Sequence, residues 1–183
     1  MKKYFFLNMI PIMMLLSTPL FAQKQVAKNA KINLFSATAL EDIDGTSNTS
    51  VSAINTSNNA IYFKCVITSI NFDKALMQEH FNENYLESDK YPTAEFTGKI
   101  VDAIDWSKDG LYNVSVSGEL SVHGITKNYN SITATIKITN GKVSGNAVFN
   151  VKCADHKIDI PKLLTKNIAE VIKITVTANY EPF

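Results

Sequence analysis

The chain contains no arginine: all 18 basic side chains are lysines, set against 17 acids. Phosphate and nucleic-acid recognition lean on guanidinium forks and a basic face, and this chain supplies neither. Nucleic acid is therefore excluded as a partner. Histidine is scarce too, with three in 183 residues. His80 and Glu83 stand i, i+3 in a helical pattern, but Asn84 sits where a helical zinc motif needs its second histidine. Asp155, His156 and Asp159 cluster with no serine or cysteine nucleophile at any known spacing. His123, beside Gly124 at a strand end, reads as a turn residue, and Trp106 in "DAIDWSKDG" as the end of a hairpin. No catalytic residue, metal site or cofactor is assigned.

Long apolar runs are missing everywhere except the first 22 residues. There, "MKKYFFLNMIPIMMLLSTPLFAQ" opens with Lys2 and Lys3 and continues with an apolar stretch from Tyr4 to Leu16. This is the build of a signal peptide, cut after Ala22. Asn8 and Pro11 interrupt it, and it is too short for a comfortable membrane span. No cysteine follows the stretch to carry a lipid anchor. The reading is therefore a signal peptide over 1–22 and one domain over 23–183, periplasmic or secreted, with no integral membrane span after cleavage. The remaining stretch of about 160 residues is the size of a single domain. Losing two lysines and no acid leaves it close to neutral.

The two cysteines, Cys65 and Cys153, each fall in an apolar strand pattern and lie far apart in sequence. In an oxidising compartment they are a candidate disulfide, and a bridge closing so long a loop contributes about 2–5 kcal/mol. Two free, buried thiols are the alternative.

What the chain has in abundance is alternation of period two, the mark of half-buried antiparallel strands. "AIYFKCVIT" places Ile61, Phe63, Cys65 and Ile67 on one face. The segment 112–122 places Tyr112, Val114, Val116, Gly118, Leu120 and Val122 together. Later runs do the same for Ile132, Ala134, Ile136 and Ile138, for Val143, Gly145, Ala147, Phe149 and Val151, and for Ile172, Ile174, Val176, Ala178 and Tyr180. Asn140-Gly141 between two such runs predicts a tight hairpin, because both turn residues need positive φ. Helices are expected over Asp73–Ser88 and, after Pro161, around Lys162–Glu170. The polar run Gly45–Asn59 is the weakest segment, a long hairpin or a loose edge.

Strands joined in sequence by short turns predict an all-β protein, an antiparallel barrel of about eight strands that removes its edges by closing. The helices, Pro182 in the last strand, and outward Thr, Ser, Asn and Lys without aromatic girdles count against an outer-membrane barrel. Inward glycines at 98, 118 and 145 mark either close approach in the wall or room for a ligand.

The segments "HFNENYLESDKYPTAEFTGKI", "GELSVHGITKNYNSITATIKI" and "HKIDIPKLLTKNIAEVIKITVTANYEP" occur in that order, and together they resemble the YceI-like family. The likeness runs from about Phe72 to Pro182 and is most specific at Tyr91-Pro92 leading into Phe96 and over Gly118–Lys127. It implies a closed, lipocalin-like β-barrel with one helix of three to four turns beside it and one short helix. It further implies an exported protein, not an enzyme, that binds or carries a polyisoprenoid or other lipid-like chain inside the barrel. Two departures stand out: Ile32–Asn59 matches poorly, and His156 in "DHKIDI" replaces a larger aromatic.

On this reading Met77, Phe81 and Tyr85, spaced every four residues on the helix, close one side of a cavity. Phe63, Phe96, Ile100, Val116, Leu120, Ile136, Phe149 and Ile174 line the rest. A side-chain-filled barrel acting as a structural or interaction protein is the alternative, an outer-membrane barrel a more distant one, and a homodimer is left open.

Overall fold

The alternating runs form nine strands in the computed structural model, which describes residues 23–37, 42–160 and 170–183. In order they are β1 (Lys24–Ser36), β2 (Ile43–Asn55), β3 (Ala60–Val66), β4 (Asn71–Phe72), β5 (Thr93–Ile100), β6 (Gly110–Val122), β7 (Ile125–Thr139), β8 (Lys142–Lys152) and β9 (Val171–Pro182). Every pairing is antiparallel. The sheet runs β1-β9-β8-β7-β6-β5-β3-β2, and β2 pairs again with β1. Eight strands thus close into a barrel, and the two-residue β4 is added to the flank of β2. The segment read as a signal peptide and the short helix expected around 162–170, apart from Glu170, lie outside the described residues.

Turn chemistry sets the register. Asn140 (φ 51°) and Gly141 (φ 74°) make the two-residue turn between β7 and β8, and His123 (φ 51°) and Gly124 (φ 70°) make its counterpart between β6 and β7. Positive φ at both central residues matches the twist of the flanking strands.

The run Gly45–Asn59 is no loose edge. Most of it is β2, one side of the seam that closes the barrel. Its inward positions include Ser47, Ser50 and Ser52, all buried, and its alternation slips at a bulge over Asn48-Thr49, opposite Lys31 of β1. Small inward residues on both strands, Ala27 and Ala30 against Ser52 and Ser50, leave room at the seam. Tyr180 of β9 fills part of that room and meets Ser52 Oγ at 2.9 Å.

The helix has about the expected three turns but covers a shorter span. α1 (Ala75–His80) is regular, then widens into a π-helical turn over Phe81–Tyr85, giving 11 helical residues instead of the 16 of Asp73–Ser88. The Leu86 amide donates back to the Phe81 carbonyl at 3.0 Å, the five-residue step of such a turn. Gln78 fastens α1 to the wall, accepting from the Phe72 amide (3.1 Å) and donating to the Ile70 carbonyl (2.9 Å). The chain leaves the helix before Pro92, whose carbonyl accepts from the Ile67 amide at 2.9 Å.

The barrel has one filled end and one open half. Ile54, Ile100, Val114, Ile136, Ile138, Val143 and Tyr180 pack the end near Asn55, with Trp106 over it and its indole N–H on Asn59 Oδ1 at 2.9 Å. At the other end Ile67, Leu86 and Val122 gather Phe81 and Tyr85 above them. The inward glycines divide between the two accounts. Gly98 and Gly118 face each other in the register, and a Cβ on either would collide with the opposite backbone and with the Phe96 ring. Their space is taken by protein. Gly145 lies on the cavity wall, where a Cβ would meet only side-chain atoms, the end of Ile136 at 3.3 Å and the Tyr180 ring at 3.4 Å.

Gly118→Ala is therefore expected to lower stability by about 1–3 kcal/mol through overpacking, measured by urea denaturation. Equal stability of variant and parent would contradict so close an approach of the Gly98 and Gly118 backbones.

Candidate functional site: an apolar cavity under a helical lid

The strands that alternate most cleanly in sequence bring their apolar sides to one internal space of about 610 Å³. That falls within the ~300–1,000 Å³ range of ligand pockets. All eleven residues expected around a cavity line it: Met77, Phe81 and Tyr85 from the helical segment, Phe63, Phe96, Ile100, Val116, Leu120, Ile136, Phe149 and Ile174 from the strands. Among the lining residues only Lys74 and Glu95 carry a formal charge, and Glu95 is held by Lys64 at 2.9 Å and by the Tyr62 hydroxyl at 3.1 Å. The Lys64 contact, foremost, keeps the Glu95 carboxyl below its ordinary range.

The helical segment lies over the open end as a lid. The Phe72 and Phe81 rings sit 4.8 Å apart where lid meets wall. Past the lid, Glu87 takes positive φ and its carboxylate lies 2.8 Å from His123 Nε2, while His123 Nδ1 is 3.1 Å from the His156 carbonyl. His123 is thus more than a turn residue: it joins the lid's exit to two neighbouring turns. Tyr91 packs edge-on against its ring at 4.8 Å.

His156, the departure noted in "DHKIDI", is wholly buried. Its Nδ1 donates to the Ile125 carbonyl at 3.0 Å, and its Nε2 accepts from the Tyr129 hydroxyl at 3.2 Å. The ring stacks on Tyr129, and burial, foremost, holds its pKa below the ordinary histidine value, which favours the neutral imidazole this pattern accommodates. Asp155 and Asp159 add no nucleophile, and no group of three or more potential metal-ligating side chains occurs among the described residues.

Cys65 and Cys153 also line the cavity, but the candidate disulfide is not formed: both are free, buried thiols. The strand pattern points both sulfurs inward, yet facing one interior does not bring two Cβ atoms within bonding reach. Burial pushes the Cys153 thiol up to about 11, far from a reactive thiolate.

The sequence reading missed a whole wall. Ile32, Leu34 and Ser36 of β1 and Ile43 and Ser52 of β2 line the cavity, as do Phe72 and Leu76. The alternation of Ile32 and Leu34 was a usable signal, but in β2 the inward serines gave none.

The model of the YceI-like domain matches residues 23–180. The chain belongs to the YceI-like family. The match takes in Ile32–Asn59, so the serine-rich strand is part of the family domain and no addition to it. Solved structures share the fold at low identity. A polyisoprenoid-binding domain from Saccharophagus degradans aligns with TM-score 0.73 and 13% identity over 88% of this chain and 99% of its own. BcnA of Burkholderia cenocepacia gives 0.68 and 14% over 83% and 96%. The YceI protein of Campylobacter jejuni gives 0.57 and 20% over 73% and 81%. No curated protein matches. Among the described residues of this YceI-like barrel, no helix is long and apolar enough to cross a membrane.

Two outcomes follow for the site. An aromatic disulfide reagent is expected to modify both thiols rapidly after denaturation and at least tenfold more slowly in the native YceI-like protein. No reactive thiol in denaturant would show that a bridge had formed. For His156, an unfolded histidine protonates near pH 6.5 while the folded ring resists. Its contribution to stability is therefore full above about pH 6.5 and is lost as pH falls towards the folded value, by at most ~1.4 kcal/mol per pH unit. Comparing chemical denaturation of the parent and His156→Gln between pH 7 and pH 5 is expected to show a shallower fall in the variant.

Proposed function

We propose that this chain is an exported, non-enzymatic binding protein whose barrel holds or carries a long apolar ligand, a polyisoprenoid or other lipid-like chain. The observation that carries the reading is the 610 Å³ cavity, walled by aliphatic and aromatic side chains from eight strands and a lid. Each methylene transferred from water into such a space gains about 0.8 kcal/mol, so ten buried carbons gain about 8 kcal/mol before ordering costs. That is enough for useful affinity without a charged anchor. The relative from Saccharophagus degradans, described as polyisoprenoid-binding, supports this class of ligand. Export rests on Lys2, Lys3 and the apolar stretch after them, with cleavage after Ala22, just ahead of the first residue of the family domain.

A barrel wholly filled by its own side chains fits less well, because filling is confined to the end around Ile54, Val114 and Trp106. The outward residues Lys137, Lys173 and Asn146 suit water better than lipid.

Ala147 lines the cavity between Ala134 of β7 and Val176 of β9. Ala147→Trp is expected to occupy ligand space and weaken binding of the apolar fluorophore phenylnaphthylamine by at least tenfold, with circular dichroism unchanged. Undiminished binding by a folded variant would place the fluorophore outside the barrel and sink the proposal.

A further inference from the structure

The lid is lightly held. No residue of α1 or of the π-helical turn after it is buried. Gln78 fastens its start to the wall. Beyond the packing of Phe81, Tyr85 and Leu86 near Ile67 and Val122, its exit is fastened at the His123 ring, where three stretches of chain meet. Glu87 comes from the lid, His123 from the turn between β6 and β7, and His156 from the turn Cys153–His156 that follows β8.

The geometry at that ring selects a protonation state. His123 Nε2 lies 2.8 Å from the Glu87 carboxylate, and Nδ1 lies 3.1 Å from the His156 carbonyl. An ionised carboxylate and a carbonyl only accept, so each ring nitrogen needs a proton to complete its contact. The doubly protonated imidazolium donates to both. A neutral ring donates to one and turns a lone pair on the other acceptor. Little room is left for the ring to find water instead: its side chain is 12% exposed, and Tyr91 packs edge-on at 4.8 Å in space that a Cβ at Gly124 would need. Imidazole is also the side chain that ordinarily exchanges a proton near neutral pH.

The groups around the ring come from every element packed there. On the lid's exit, Lys90 lies 4.0 Å from the Glu87 oxygen that His123 does not use and sits over the Tyr91 ring, and Asp89 is exposed beside it. Beyond His123 are His156 and Tyr129, with Asp155 and Lys127 acting on His156 in opposite senses and Lys157 exposed next to it. Carboxylates and ammonium groups do not ordinarily titrate between about pH 6 and pH 8.5. Burial lowers the proton affinity of His156 and raises the pKa of the Tyr129 phenol, which keeps both neutral over the same range.

We propose that Glu87 and His123 form a proton-dependent latch on the lid. With the ring doubly protonated, the lid's exit is held down and ligand exchange is slow. Loss of one ring proton gives up one contact, frees the exit and speeds exchange, so release is favoured as pH rises. Neither residue lines the cavity; both are positioning residues that act through Phe81, Tyr85 and Leu86, which do. The inference rests on the cavity reading above and adds how release from that site is controlled.

The test is the rate at which phenylnaphthylamine leaves the protein, followed by stopped-flow fluorescence with excess β-cyclodextrin as acceptor. From about pH 6 to pH 8.5 the parent's rate is expected to rise about threefold, the scale of a partly exposed ion pair, and to fall back on reacidification. In Glu87→Gln the rate is expected to be flat across the range, because an amide serves either form of the ring. His123→Asn, whose side chain tolerates the positive φ of that position, is expected to be flat as well. A flat profile in the parent, or the parent's slope kept in either variant, overturns the latch and leaves the cavity reading standing. Absence of saturable fluorophore binding at every pH overturns both readings together.

Discussion

Closure of the sheet along β1 is the constraint on which the rest of this structure depends. β1 is hydrogen-bonded to β2 on one side and β9 on the other, so no strand of the eight is left as an edge. Closure also fixes the bore. Eight strands enclose an interior that side chains can just fill or that can hold one small ligand. Which of these happens is decided locally, by what each strand points inward. At the end near Asn55 the inward residues are large and meet one another; beneath the lid they stand back from a shared space.

The seam itself is built from small side chains. Ala27, Ala30, Ser50 and Ser52 keep β1 and β2 thin, and Tyr180 leans over them from β9. The bulges in both strands interrupt the ladder and increase the local twist, as bulges do where a barrel wall must bend. The lid depends on the same region indirectly: β4 pairs with β2, Gln78 grips the backbone on either side of that pairing, and Glu87 reaches His123 on the far wall. Seam, lid and cavity are thus one mechanical unit, with the lid fastened at both ends.

Much of this was legible in the residues, and the reasons are physical. β3, β5, β6, β8 and β9 alternate strictly, as does β7 from Ile132 on, so one face of each could be read directly, and Asn140-Gly141 fixed a turn because both residues tolerate positive φ. The every-fourth-residue stripe of Met77, Phe81 and Tyr85 survived the change from α to π winding, although the helix is shorter than the pattern that announced it. β2 was obscure for two reasons: three of its inward residues are serines, which carry no hydrophobic signal, and its bulge shifts the alternation by one. Alternation also cannot say what fills the space beside an inward glycine, and Phe96, two residues from Gly98, does so for both Gly98 and Gly118. Nor can it say whether two inward cysteines meet; Cys65 and Cys153 do not bond.

The account holds that the space beneath the lid exists to be occupied by a molecule other than protein. Native mass spectrometry of the protein purified without detergent tests this most directly. The expected result is a population heavier than the bare chain by the mass of one apolar molecule, released on collisional activation and recovered in organic extract. A single species at the bare mass, which takes up no long-chain alcohol or isoprenoid when these are added, would contradict it.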